Sequence, residues 1–149
     1  IKPDGTTDVL HAGCGSGILS IIAMKLGAGK VYGIDIDELA VQASEENLLL
    51  NGIPKESFTI VKGDVIGDSE FAKQVASIGQ YDIVVANILA DVIIPLSGVI
   101  RPFMKENGVF ITSGIIDTKE EAVKDALAQN GFEIVDVLHM GEWVSVVAR

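Results

Sequence analysis

Short apolar runs alternate along the chain with longer stretches framed by helix start and stop residues. After a leading loop or linker, Ile1 to Thr7 with Pro3, Asp4 and Gly5, the first strand is expected over Asp8 to Ala12. A helix from about Ser16 to Leu26 follows, apolar nearly all round and stopped at Gly27. Val31 to Asp35 is the second strand. The second helix opens near Asp37, a good N-cap, and closes at Asn51-Gly52. Phe58 to Lys62 is the third strand, followed by Gly63-Asp64 and a more polar helix from about Ser69 to Ser77. Tyr81 to Ala86 is the fourth, with Asn87 at its carboxyl end. The helix expected from about Ala90 to Met104 is interrupted by Pro95 and Pro102, so it should be broken or short. The fifth strand, Val109 to Ser113, is entered through the turn Glu106-Asn107-Gly108. The fifth helix has Asp117 as N-cap with Glu120 in a capping-box position, and ends at Asn130-Gly131. Phe132 to Leu138 and Trp143 to Val147 are joined so tightly that they must be antiparallel. The expected architecture is α/β: a mostly parallel sheet with helices on both faces and one antiparallel strand at the end.

Composition narrows the class. A chain of 149 residues suits one domain, and its 48% hydrophobic content and mean hydropathy of +0.41 are high for a soluble chain. Strands buried on both faces of a parallel sheet account for part of that, and a partner domain outside this sequence could account for the rest. No apolar run approaches a membrane span, and no secretory signal is visible. The single cysteine, Cys14, excludes an internal disulfide, and two scattered histidines with one cysteine do not make a metal site. A net charge of −10 repels phosphates and argues against direct nucleic-acid binding by this chain.

The candidate chemistry lies at the carboxyl ends of the strands, where open parallel sheets bind ligands. Gly13-Cys14-Gly15-Ser16-Gly17 joins the first strand to the first helix. Glycines there permit positive φ and close ligand approach, and the helix points free N–H groups and its positive dipole end at the turn. The dinucleotide fingerprint would need glycine at position 18, where this chain has Ile18. Asp35 can accept hydrogen bonds from both hydroxyls of a ribose; the alternative is that it only caps the second helix, for which Asp37 is better placed. Asp64 can accept from an adenine amine, with Val65 or Ile66 against the ring, or it is a turn aspartate. Asn87 can hold the hydrogens of an attacking amine and aim its lone pair at a methyl group, or it is a turn asparagine.

Gly13-Cys-Gly-Ser-Gly-Ile-Leu-Ser20, Gly33-Ile-Asp-Ile-Asp37, Val85-Ala-Asn-Ile-Leu-Ala-Asp91, Ser113-Gly-Ile115 and Gly141-Glu-Trp-Val144 together carry a specific resemblance. Over essentially its whole length the chain resembles the catalytic domain of the PrmA family of bacterial ribosomal protein lysine methyltransferases. The Asn87-Ile-Leu-Ala90 segment is the most specific part. The resemblance implies a Rossmann-like class I methyltransferase fold with a seven-stranded sheet. It also implies S-adenosyl-L-methionine as cofactor, S-adenosyl-L-homocysteine as product, and no metal. Its activity would be methylation of lysine ε-amines and an N-terminal α-amine on a large-subunit ribosomal protein, in the cytoplasm. By the same carry-over Gly13, Cys14, Gly15, Gly17, Asp35, Ile36, Asp64, Val65 and Asn87 bind cofactor. Asn87, Ile88 and Leu89 form the methyl-transfer site, walled by Trp143 unless that ring only packs in the hairpin. Where the family usually has an acidic residue supporting the cofactor's amino-acid end, this chain has His11, which is otherwise a strand histidine satisfied locally. The expected organisation is one catalytic domain over residues 1–149, with an N-terminal substrate-recognition domain outside it. The rival functions are methylation of a small molecule, a glutamine amide or a nucleobase, nicotinamide-dependent redox chemistry, and non-catalytic cofactor binding.

Overall fold

The computed structural model describes residues 1–2 and 4–149; Pro3, part of the predicted leading loop, lies outside the described residues. Seven strands form one sheet in the order β3-β2-β1-β4-β5-β7-β6. Their ranges are β1 Asp8–Ala12, β2 Lys30–Asp35, β3 Phe58–Lys62, β4 Tyr81–Asn87, β5 Met104–Ile116, β6 Ile134–Met140 and β7 Trp143–Ala148. Pairing is parallel from β3 through β5, and β7 runs antiparallel to both its neighbours, as the tight hairpin required. The helices are α1 Ile18–Lys25, α2 Glu38–Leu50, α3 Ser69–Ile78, α4 Ala90–Ser97 and α5 Glu120–Gln129.

Most predicted elements fall where they were expected, though β5 runs on past Ser113 to Ile116 and β6 spans Ile134–Met140 in place of Phe132 to Leu138. α1 starts two residues later than predicted because Gly17, at φ 86°, cannot belong to a right-handed helix. α4 runs through Pro95, at the loss of the bond its N–H would make to Asp91, and stops at Ser97, while Pro102 sits in a separate 3-10 turn over Arg101–Phe103. Glu106-Asn107-Gly108 does not form an entry turn. β5 already pairs Met104 with Tyr81, and the residues between bulge out before Val109 pairs with Ile83. The capping box at Asp117 is also absent. Asp117–Lys119 is a 3-10 turn, α5 begins at Glu120 without a side-chain cap, and the Glu120 carboxylate pairs with His139 and Lys124.

The two faces of the sheet are covered unequally. On one, the even-numbered residues Val84, Ala86, Phe110, Thr112, Val146 and Ala148 are sealed from solvent, in the main core that α4 and α5 help to close. On the other, α1 and α2 pack over β1–β3 through Val9, Ile21, Ala23, Val31 and Leu48. Ile83, Val85, Val109, Ile111 and Val147 share that second face but are only half-buried. Beside them lie Ile18 and Ile22 of α1 and Leu26, its C-cap, which are 55%, 45% and 58% exposed.

Candidate active site

The carboxyl ends of β1, β2, β3 and β4 meet at one edge, where an apolar cleft of about 260 Å³ opens. Gly13, Asp35, Ile36, Asp64, Val65 and Ile88 line it. At Gly13 (φ 70°) a Cβ would lie 2.7 Å from Ile88 Cγ2, so only glycine lets β1's end come this close to the β4 loop. A second, more open groove of about 620 Å³ begins on the far side of Ile88, bounded by Asn87, Leu89, Ser113, Gly114 and Trp143. Ile88 is common to both cavities. Asn87 lines only the second groove, and its amide packs so tightly on Gly114 that a Cβ there would overlap Oδ1. Gly114 owes its place to a register shift in β5 between Thr112 and Ile115, a backbone irregularity that no apolar pattern announces.

The glycine turn is held internally to a degree the sequence does not reveal. Gly13 and Cys14 both donate their N–H to the Ile34 carbonyl, at 2.8 and 3.0 Å, and Gly17 donates to the Cys14 carbonyl. Gly15 donates its N–H to Asp35 Oδ2 at 3.0 Å, while Asp35 Oδ1 accepts from the Asp37 N–H at 3.0 Å. The expected cradle of free amides is therefore narrower than predicted, since these four turn amides already have protein partners. Each Asp35 oxygen keeps a second lone pair for a ligand. Asp64 Oδ1 accepts from the Ile66 and Gly67 N–H groups, both at 3.0 Å, which folds the loop after β3. Asp37 caps α2 through the Leu39 N–H. Cys14 is buried, its sulfur 3.3 Å from Ser44 Oγ, and burial pushes its thiol pKa up.

His11 lies beneath the turn. Its Nδ1 is 2.8 Å from Ser20 Oγ on α1, so the ring is satisfied locally. Burial lowers its pKa to about 4, with the Asp35 charge pulling the other way, and the imidazole is neutral near pH 7.

A seven-stranded sheet of this order with one reversed strand, and a cleft beyond the glycine turn, has the class I, Rossmann-like architecture of the S-adenosylmethionine-dependent methyltransferases. The likeness extends to a TehB-like methyltransferase from Corynebacterium glutamicum, with a TM-score of 0.74 and 18% identity over 99% of this chain and 81% of that one. More specifically, the chain belongs to the ribosomal protein L11 methyltransferase (PrmA) family, whose model matches residues 2–149. A curated relative of that name from Agathobacter rectalis is 49% identical over 141 residues, 95% of this chain and 43% of the relative. A crystal structure of ribosomal protein L11 methylase from Lactobacillus delbrueckii subsp. bulgaricus superposes with a TM-score of 0.86 at 34% identity, over 100% of this chain and 71% of that one. The chain thus spans under half the length of such curated relatives.

Proposed function

We propose that this chain is the catalytic domain of a protein-lysine N-methyltransferase. It binds S-adenosyl-L-methionine in the cleft and acts on lysine ε-amines, and an N-terminal α-amine, of ribosomal protein L11. The observation that carries this reading is the partition at Ile88: an apolar cleft on one side and a more open groove on the other, with Asn87, the residue before it, lining the groove. The cleft fits the cofactor. Asp35 offers two carboxylate oxygens suited to ribose hydroxyls, Asp64 can accept from the adenine amine, and Ile36, Val65 and Ile66 give apolar faces for the ring. Gly13, Gly15 and Gly17 shape the turn toward the amino-acid end, and the buried Cys14 supports it from behind.

When bound, the sulfonium supplies an activated methyl group and a neutral thioether as leaving group. The chain's task is to present an uncharged amine, because an ammonium has no lone pair. Leu89, Trp143 and Ile88 wall the groove with apolar surface, which disfavours the charged lysine and lowers its pKa. Asn87 Oδ1 accepts a hydrogen bond from the amine and so orients its lone pair toward the cleft. The amine's surplus proton leaves through the open groove to solvent. Recognition of L11 is assigned to a separate N-terminal domain of a longer polypeptide, consistent with the greater length of the relatives, and the setting is the cytoplasm. The test is Asn87→Ala in the longer polypeptide with L11 as acceptor. Single-turnover methylation at saturating cofactor should fall about 100-fold, the range expected when an orienting group is lost. An unchanged rate removes Asn87 from the mechanism.

A further inference from the structure

The glycine turn is gripped by side chains from a neighbouring helix. Ser44 sits mid-way along α2, fully buried, and its Oγ donates to the Gly15 carbonyl at 2.7 Å. Three positions on, and so on the same helix face, Asn47 Nδ2 donates to the Ser16 carbonyl at 2.8 Å. Contact is close enough that a Cβ at Gly17 would lie 3.1 Å from Ser44 Cα. α2 is in turn keyed to the ribose-side carboxylate, because Asp37 caps the helix while its own N–H is held by Asp35. The bonds close a ring that runs from the turn to Asp35, to Asp37, along α2 to Ser44 and Asn47, and back to the turn.

We propose that Ser44 and Asn47 are positioning residues for cofactor binding, pre-ordering the turn that receives the amino-acid end of S-adenosylmethionine. The proposal rests on the cofactor reading given above. Gly13, Gly15 and Gly17 all have positive φ, and a turn so rich in glycine loses much freedom when it must be fixed. Ordering it before the ligand arrives removes that cost from binding. The clamp also selects the remaining acceptor. The carbonyls of Cys14, Gly15, Ser16 and Gly17 are taken, and among the described residues that of Gly13 alone in the turn is uncommitted, which suits an ammonium group.

The test compares S-adenosylhomocysteine, which carries the amino-acid tail, with adenosine, which lacks it, by NMR titration of the 149-residue chain. Asn47→Asp is the decisive variant: it keeps size, removes the donor, and alters a half-buried side chain. Ser44→Ala is the companion, with its melting temperature recorded because it leaves a buried carbonyl without its donor. Each substitution should weaken S-adenosylhomocysteine about 10-fold, the scale of one lost hydrogen bond, while adenosine affinity moves less than about 2-fold. Parental affinity in Asn47→Asp, or equal loss of both ligands, overturns the proposal. An unsubstituted chain indifferent to S-adenosylhomocysteine overturns the cofactor reading itself, and this inference with it.

Discussion

Burial sets the protonation state of His11 and gives the chain an acid-sensitive point. The unfolded chain takes up a proton there near pH 6.5, whereas the folded chain resists until about pH 4. Acidification across that window therefore favours unfolding, by about 2 kcal/mol at pH 5 for a shift of this size. His11→Gln cannot take up that proton. Urea unfolding from pH 7 to 5 should show the parent losing about 2 kcal/mol more than the variant. Equal slopes would mean that the folded chain protonates the ring at the same pH as the unfolded chain. The sequence shows a histidine at this position, and it offers both a local and a ligand-directed role. Ser20, nine residues on, is the partner that resolves them, and pairing the two required knowing how α1 lies on β1.

Caps and turns carry consequences at the level of elements. Asp37 caps α2 through a side-chain bond and Asp117 caps nothing, although both head a promising pattern. Asp37→Ala should cost about 1 kcal/mol in chemical denaturation, while Asp117→Ala loses no cap energy. Two glycines with similar φ separate backbone strain from contact. A Cβ at Gly52 (φ 75°) meets nothing within 4 Å, but one at Gly17 (φ 86°) presses on Ser44. Gly52→Ala should therefore cost about 1 kcal/mol and Gly17→Ala roughly twice that, since only the second must also move α2. The strand ends bearing Asp35, Asp64 and Asn87 were legible because apolar runs and turn residues mark them in the chain. The α2 grip on the turn was not, since Ser44 and Asn47 are ordinary helix residues about 30 positions away. The β5 bulges were invisible for a different reason. Residues 105–108 have the composition of a turn, and pairing with β4 overrides it.

Across the whole molecule, the uneven cover of the sheet dominates. Parallel sheets are normally buried on both faces, and here half of one face meets solvent with Ile83, Val85, Val109, Ile111 and Val147 beside the α1 stripe. Part of the high hydropathy noted in the sequence is thus surface, not core. In isolation the 149-residue chain should bind a hydrophobic dye and self-associate. Ile22→Gln with Leu26→Gln should reduce both, and shift the melting temperature by less than about 3 °C, because neither side chain is buried. Dye binding unaffected by the pair would place the sticky surface elsewhere.

The reversed strand also dictates an order of assembly. β6 leaves the ribosome before β7, yet its seat in the sheet exists only once β7 has slotted in beside β5. During synthesis β5 therefore ends in a raw edge while β6 waits nearby with nothing legitimate to hold. The groove wall that Trp143 provides is among the last parts to arrive. A nascent chain can complete the cleft around Gly13, Asp35 and Asp64 early, but the groove beyond Ile88 lacks a wall until the hairpin threads home.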